Sequence, residues 1–223
     1  MSSISGTNKV REPELSVQTT ANPLKDGGTR SRRRLIEALI MVALAVAGAL
    51  AAKSFLLQVY SVPSGSMSPT VIPGERIAVE KVSYDFRDPR RGDVVVFDGT
   101  GYFRDPTPGA HVFVKRVIGV GGDRVTCCTS TGQLTVNGQV IDEQAYVGAP
   151  DVPSTMRFDV EVPPDSLWLM GDHRSASADS RVYIGSPGGG MVPVKQVIGR
   201  VFSVVWPINQ ARLIGSQPAP AGK

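Results

Sequence analysis

A chain of 223 residues that is 41% hydrophobic and 20% charged, with 24 Gly and 17 Pro, has a globular make-up. Collagenous, wholly disordered and coiled-coil architectures are excluded as whole-chain answers, and the length allows one domain or two. The net charge of +4 sits in one place. The first 34 residues hold seven Lys/Arg (Lys9, Arg11, Lys25, Arg30, Arg32, Arg33, Arg34) against three acids, leaving 17 of each sign beyond. That neutral remainder gives nucleic acid no basic footprint. Two adjacent cysteines, Cys127 and Cys128, with only His111 and His173, form neither a disulfide framework nor a zinc pattern. No metal or other cofactor is expected.

Residues 1–34 lack an apolar period and read as a disordered arm, because so little apolar surface cannot offset the entropy of ordering. Ala38 to Ala52 carries no charge, and the apolar run resumes after Lys53 at Phe55-Leu56-Leu57. As a helix, residues 35–57 would be about 34 Å long, enough to cross a bilayer core of ~30 Å. A single transmembrane helix is the favoured reading, with Glu37 and Lys53 near its ends. A cleavable signal peptide ending at Ala49-Leu50-Ala51 is the main alternative, and a buried helix of a soluble protein the third. The Arg30–Arg34 cluster would hold the N-terminal arm in the cytoplasm and put everything after residue 57 outside.

Residues 58–210 read as a mostly β, antiparallel domain, followed by a flexible tail over 211–223. Alternating or β-branched runs occur at residues 76–82, 93–97, 112–117, 134–136, 139–141, 158–162, 167–170 and 194–205. Asn137-Gly138 between two of them signals a two-residue hairpin. Residues 104–109, 148–153 and 185–190 mark loops, and no long amphipathic helix is expected.

Three segments could carry chemistry. Val62-Pro63-Ser64-Gly65-Ser66-Met67-Ser68-Pro69-Thr70 is too rich in Pro and Gly for a helix and makes a stiff loop. It could fix a serine hydroxyl for nucleophilic attack, or merely be a linker. The second segment, Val112–Ile118, puts Phe113, Lys115 and Val117 on one strand face, with Val114, Arg116 and Ile118 on the other. A desolvated Lys115 would lose its proton readily and could serve as a base; an exposed edge lysine is the plain alternative. The third, Gly171–Arg181, is a polar loop after an apolar strand, able to orient a catalytic side chain or simply to face water. A Ser66–His173–acid triad also remains open from the sequence alone.

In this order, behind an apolar N-terminal segment, the three segments resemble the type I signal peptidases, membrane-bound serine proteases with a Ser/Lys dyad. Pro63-Ser64-Gly65-Ser66-Met67-x-Pro69-Thr70 is similar to the family's nucleophile signature. Gly92-Asp93-Val94-Val95-Val96-Phe97 resembles its next block, and Lys115-Arg116-Val117-Ile118-Gly119 with Gly122-Asp123 its lysine block. Gly171-Asp172-x-Arg174 and Ser177-Ala178-Asp179-Ser180-Arg181 are similar to the last block. The resemblance covers roughly residues 36–205.

It implies Ser66 as the acylated nucleophile and Lys115 as general base. Ser177 would orient the Lys115 amine, and Ser64 would add a hydroxyl to the oxyanion hole beside the Ser66 N–H. Asp179 and Arg181 would form a structural ion pair, with Asp172 in support. The implied function is removal of signal peptides from exported preproteins, at sites with small residues at −1 and −3. The implied place is the outer face of the bacterial cytoplasmic membrane, with preproteins and the lipid bilayer as partners. Adjacent cysteines are unlike the spaced pair of some relatives, and their trans spacing of about 3.8 Å disfavours a bridge. Rival readings are a self-cleaving repressor-type Ser/Lys peptidase, an inactive tethered binding domain and a sortase-like transpeptidase.

Overall fold

The computed structural model describes residues 27–104 and 111–216, without the side chains of residues 27–31 and 49–55. Residues 1–26 of the expected arm, most of the 104–109 loop and the last seven residues lie outside them. So do the side chains of Ala49-Leu50-Ala51 and Lys53. Helix α1 runs from Gly27 to Leu56, so the helix starts inside the stretch expected to be unstructured. An i,i+4 pair between Arg33 and Glu37 at 3.0 Å supports its beginning. Among the described residues, no helix is long and apolar enough to cross a membrane. The side chains of residues 49–55, part of the 23-residue span expected from the sequence, lie outside the described ones.

The rest is β, as the alternating runs require. The first seven strands are β1 (Leu57–Ser61), β2 (Arg76–Glu80), β3 (Val94–Asp98), β4 (Val112–Val120), β5 (Arg124–Cys127), β6 (Leu134–Val136) and β7 (Gln139–Val140). Then come β8 (Phe158–Glu161), β9 (Ser166–Met170), β10 (Val192–Pro193), β11 (Val197–Trp206) and β12 (Arg212–Leu213). The larger sheet has the order β1-β2-β11-β3-β4-β9-β10, with β12 on β11; the smaller has the order β7-β6-β5-β8. All pairings are antiparallel. At the β6–β7 turn Asn137 and Gly138 both take positive φ, 53° and 77°, as a type I′ hairpin demands.

Strand β3 is buried on both faces, which is why its sequence is an unbroken apolar run rather than an alternation. Val94 and Val96 join Ile77, Val79, Val201 and Val204 in one core, while Val95 and Phe97 join Val117, Leu167 and Leu169 in another. A third core, built on Trp168, Phe158 and Leu134, welds the small sheet to β4 and β9. Gly119 permits that contact, since a Cβ there would stand 2.6 Å from the Val125 side chain.

Two expectations need correction. The tail does not begin at 211: β12 pairs with β11, Ile214 is buried, and the Ser216 hydroxyl donates to Asp93 at 2.5 Å. Only two residues pair, so no periodic pattern announced the strand. Cys127 and Cys128 are joined as a disulfide, with a cis peptide between them that sets the Cα atoms 3.0 Å apart. The trans spacing that disfavoured a bridge therefore does not apply.

Buried carboxylates brace the larger sheet and set its acid limit. Burial alone would push Asp93 up, but the Ser216 hydroxyl, the Arg90 backbone N–H and the Arg87 guanidinium together hold it below the usual range. Asp123 is likewise pushed up by burial and held down more strongly by Arg91, the Val120 N–H and Asn137. A carboxylate depressed in the folded state binds fewer protons there than in the unfolded chain. Its stabilisation is complete above the unfolded value of ~3.9 and fades as pH falls toward the folded one. The urea midpoint is therefore expected to fall between about pH 6 and about pH 3, and to fall less in Asp93→Asn. An unchanged midpoint across that range would contradict this account.

Candidate active site

The loop after β1 owes its fixed course to three apolar side chains. Val62, Met67 and Val71 are 4%, 1% and 0% exposed and enter the core shared by β2, β3 and β11. Burying a Met or Val side chain stabilises by roughly 1.5–3 kcal/mol, so Met67 pins the loop at the residue next to Ser66. From the other side the His173 N–H donates to the Ser66 carbonyl at 3.2 Å, and the His173 ring contacts the Gly65 carbonyl at 3.2 Å. Gly171 completes the junction. A Cβ there would lie 2.4 Å from the Ser66 carbonyl oxygen and 2.2 Å from the Ser177 hydroxyl, so only glycine allows these segments to meet.

Lys115 stands in β4 opposite Val95, and only 3% of it is exposed. Its Nζ lies 2.8 Å from Ser66 Oγ and donates to the Val114 carbonyl at 3.1 Å. The two side chains singled out in separate segments are thus in hydrogen-bond contact. Ser64 Oγ is 3.4 Å from Ser66 Oγ. Ser177 departs from expectation: its hydroxyl is buried, rests against Gly171 and has no hydrogen-bond partner, so it makes no bond to the lysine amine. His173 contacts the backbone of the serine loop, and no contact joins it to the serine hydroxyl.

Behind this pair lies a buried ionic frame. Asp172, fully buried, receives Nε and Nη2 of Arg116 at 2.8 and 2.7 Å and the Thr70 hydroxyl at 2.5 Å. One carboxylate therefore ties the far end of the serine loop to the residue next to Lys115. Arg116 also donates to the Gly92 carbonyl at 2.9 Å, and its guanidinium carbon stands 4.2 Å from the Tyr146 ring centroid. Asp179 accepts both arms of Arg181 at 2.8 Å and the Gly171 N–H at 2.9 Å. Arg174 pairs with Glu143 at 2.5 Å and donates to the Gly171 carbonyl at 2.9 Å. Burial, and next the Glu143 charge, keep the Tyr146 phenol well above its ordinary range, so it stays neutral. Glu143 and Tyr146 were not picked out from the sequence, and Thr70 and Arg116 stood in its motifs without a role; each finds its partner only through the fold.

A cleft of about 300 Å³ opens beside the pair. Tyr60, Val62, Met67, Phe113 and Val114 give it mostly apolar walls, with Ser64, Ser66 and Lys115 on its lining.

An amine and a hydroxyl in contact at the edge of an apolar cleft, on an antiparallel β scaffold, define a candidate hydrolase centre of the serine type. Comparison with known proteins agrees. The family model for signal peptidases of peptidase family S26 matches residues 32–206. Signal peptidase I of Leptolyngbya laminosa is 36% identical, over 83% of this chain and 86% of that protein. Signal peptidase I of Mycobacterium tuberculosis is 34% identical, over 86% of this chain and 79% of its own length. The chain belongs to the S26 signal peptidase family, and it is a serine peptidase.

Proposed function

We propose that this protein removes signal peptides from exported preproteins with Ser66 as nucleophile and Lys115 as general base. The observation that carries the reading is the 2.8 Å approach of a buried lysine amine to a serine hydroxyl on a pinned loop. Burial disfavours the ammonium over the free amine, and a free amine can accept the Ser66 proton. Oγ then attacks the scissile carbonyl, the lysine passes the proton to the departing amine, and an acyl-enzyme remains. A water deprotonated by Lys115 hydrolyses that ester and returns the serine. The Ser66 N–H and the Ser64 hydroxyl would receive the oxyanion. Ser177, buried beside Gly171 without a bond to the amine, is given no step in this scheme. Asp172, Asp179 and Arg181 support the loop from behind.

A preference for small residues at −1 and −3 is part of the proposal, with Phe113, Met67 and Val114 as the walls that a larger side chain would have to pass. Anchoring by residues 35–57 in the bacterial cytoplasmic membrane, arm inside and β-domain outside, belongs to the same proposal. Leu39, Met41 and Leu44 of α1 are 68%, 67% and 63% exposed and point to different sides of the helix, an apolar surface suited to lipid. The test is to fractionate cells making the full chain and assay each fraction on a preprotein ending its signal in Ala-x-Ala. Cleavage after the second Ala, recovered with the membranes and lost when that Ala becomes Leu, is expected. Equal cleavage of the Leu substrate would refute the specificity, and activity only in the soluble fraction would refute the anchor.

A further inference from the structure

We propose that Tyr146 is a positioning residue for the peptidase reaction: its ring holds the Arg116 guanidinium, and through it keeps the adjacent Lys115 in place against Ser66. The inference rests on the Ser66–Lys115 reading above. Tyr146 lies between β7 and β8 and is 7% exposed. Its ring centroid is 4.2 Å from the Arg116 guanidinium carbon and 5.9 Å from that of Arg174. Around its edge, the Arg116 group is already committed: Asp172 takes Nε and Nη2, the Gly92 carbonyl takes Nη1, and the Thr70 hydroxyl lies 3.3 Å from Nη2.

In-plane bonds of this kind fix where the guanidinium sits but resist tilting of its plane only weakly. A ring whose centroid lies 4.2 Å from the guanidinium carbon limits that tilt and attracts the cation as well, more strongly in a desolvated site. The consequence reaches the reacting atoms by a short covalent path. Arg116 and Lys115 are consecutive in β4, and Asp172 also grips Thr70, at the end of the loop that carries Ser66. A tilted guanidinium would loosen strand and loop together. The hydroxyl of Tyr146 contributes little, since its bond to Glu143 is long at 3.3 Å and Glu143 is already paired with Arg174. The ring, rather than the phenol, is therefore the working part.

The test compares Tyr146→Phe and Tyr146→Met in the full chain, measuring kcat and KM on a preprotein well below each variant's melting temperature. Tyr146→Phe keeps the ring and is expected to retain the parental kcat within about twofold, whereas Tyr146→Met is expected to lose tenfold or more, the scale of a small misplacement at a reacting centre. KM should not move, because Tyr146 does not line the cleft. Arg116→Lys, which keeps the charge but not the plane, should show the same loss of kcat, and combining it with Tyr146→Met should add little.

Parental kcat in Tyr146→Met overturns the proposal, and so does an equal loss in Tyr146→Phe or a change confined to KM. Should Tyr146→Met fail to fold, parental kcat in Arg116→Lys overturns it equally. Ser66→Ala and Lys115→Met run alongside separate the two levels. Retained cleavage in either removes the dyad reading; loss in both with a parental Tyr146→Met removes the positioning role alone.

Discussion

Replacing Ser66 by Ala, or Lys115 by Met, is expected to lower preprotein cleavage by on the order of 10⁴-fold or more while leaving the fold intact, because groups that act as one unit fail together. The serine substitution deletes one partly exposed oxygen, and the lysine substitution keeps the buried aliphatic stem while deleting the amine. Thermal midpoints should therefore stay near the parent's, and the loss should reside in kcat. His173→Ala is the informative control. Its ring makes one hydrogen bond, with the Gly65 carbonyl, and a bond of that kind is worth roughly 0.5–1.5 kcal/mol, no more than about tenfold in rate. If His173→Ala abolished turnover while Lys115→Met kept it, the base would be the histidine and the dyad would be wrong.

The second large effect is expected at Asp172, and it is one of stability first. Asp172→Ala strands the Arg116 guanidinium, 1% exposed, without its carboxylate. Breaking a buried pair by removing one partner costs about 3–5 kcal/mol, since the remaining charge stays out of water uncompensated. For a domain of this size that corresponds to a melting point lower by roughly 6–20 °C. Asp172→Asn keeps an oxygen for Arg116 and for the Thr70 hydroxyl and should fall less. Differential scanning calorimetry decides; a melting point for Asp172→Ala within about 2 °C of the parent's would show that the pair is not braced as described.

Much of this was legible in the sequence, for identifiable reasons. Strands at 76–80, 112–120, 134–136 and 166–170 announced themselves because one or both faces are buried and their residues are β-branched or aromatic. The Asn137-Gly138 turn was readable because few residue pairs accept two positive φ angles. Strand β1 was hidden because Leu57 continues the apolar run of α1, and its edge position leaves only a faint alternation. Strand β5 is four residues long, and β10 and β12 are two each, so pairing defines them rather than pattern.

At the site, Ser66 and Lys115 could be picked out because each has a local signature, a stiff loop and an inward strand face. Of the frame behind them, the resemblance implied the Asp179–Arg181 pair and a supporting Asp172, but not the partners of Asp172. Arg116 meets Asp172 across 56 positions and Thr70 meets it across 102, and nothing near any of the three signals the others. The Ser177 hydroxyl was misplaced for a related reason. Whether it reaches the lysine depends on how closely Gly171 lets it settle, which is decided by packing.

The insertion of β11 between β2 and β3 bears on when, during its own manufacture, this protein can first cut anything. Of the three strands β11 is translated last, and until it exists β2 and β3 have nothing to join them. Val201 and Val204 belong to the core that seats Met67, so a nascent chain lacking them offers the serine loop no floor. Pairings so distant in sequence form late, because closing long loops costs entropy before contacts reward it. The growing polypeptide is thus harmless to itself. Its own Ala49-Leu50-Ala51, a sequence of the sort this enzyme is proposed to sever, leaves the ribosome long before the blade is assembled.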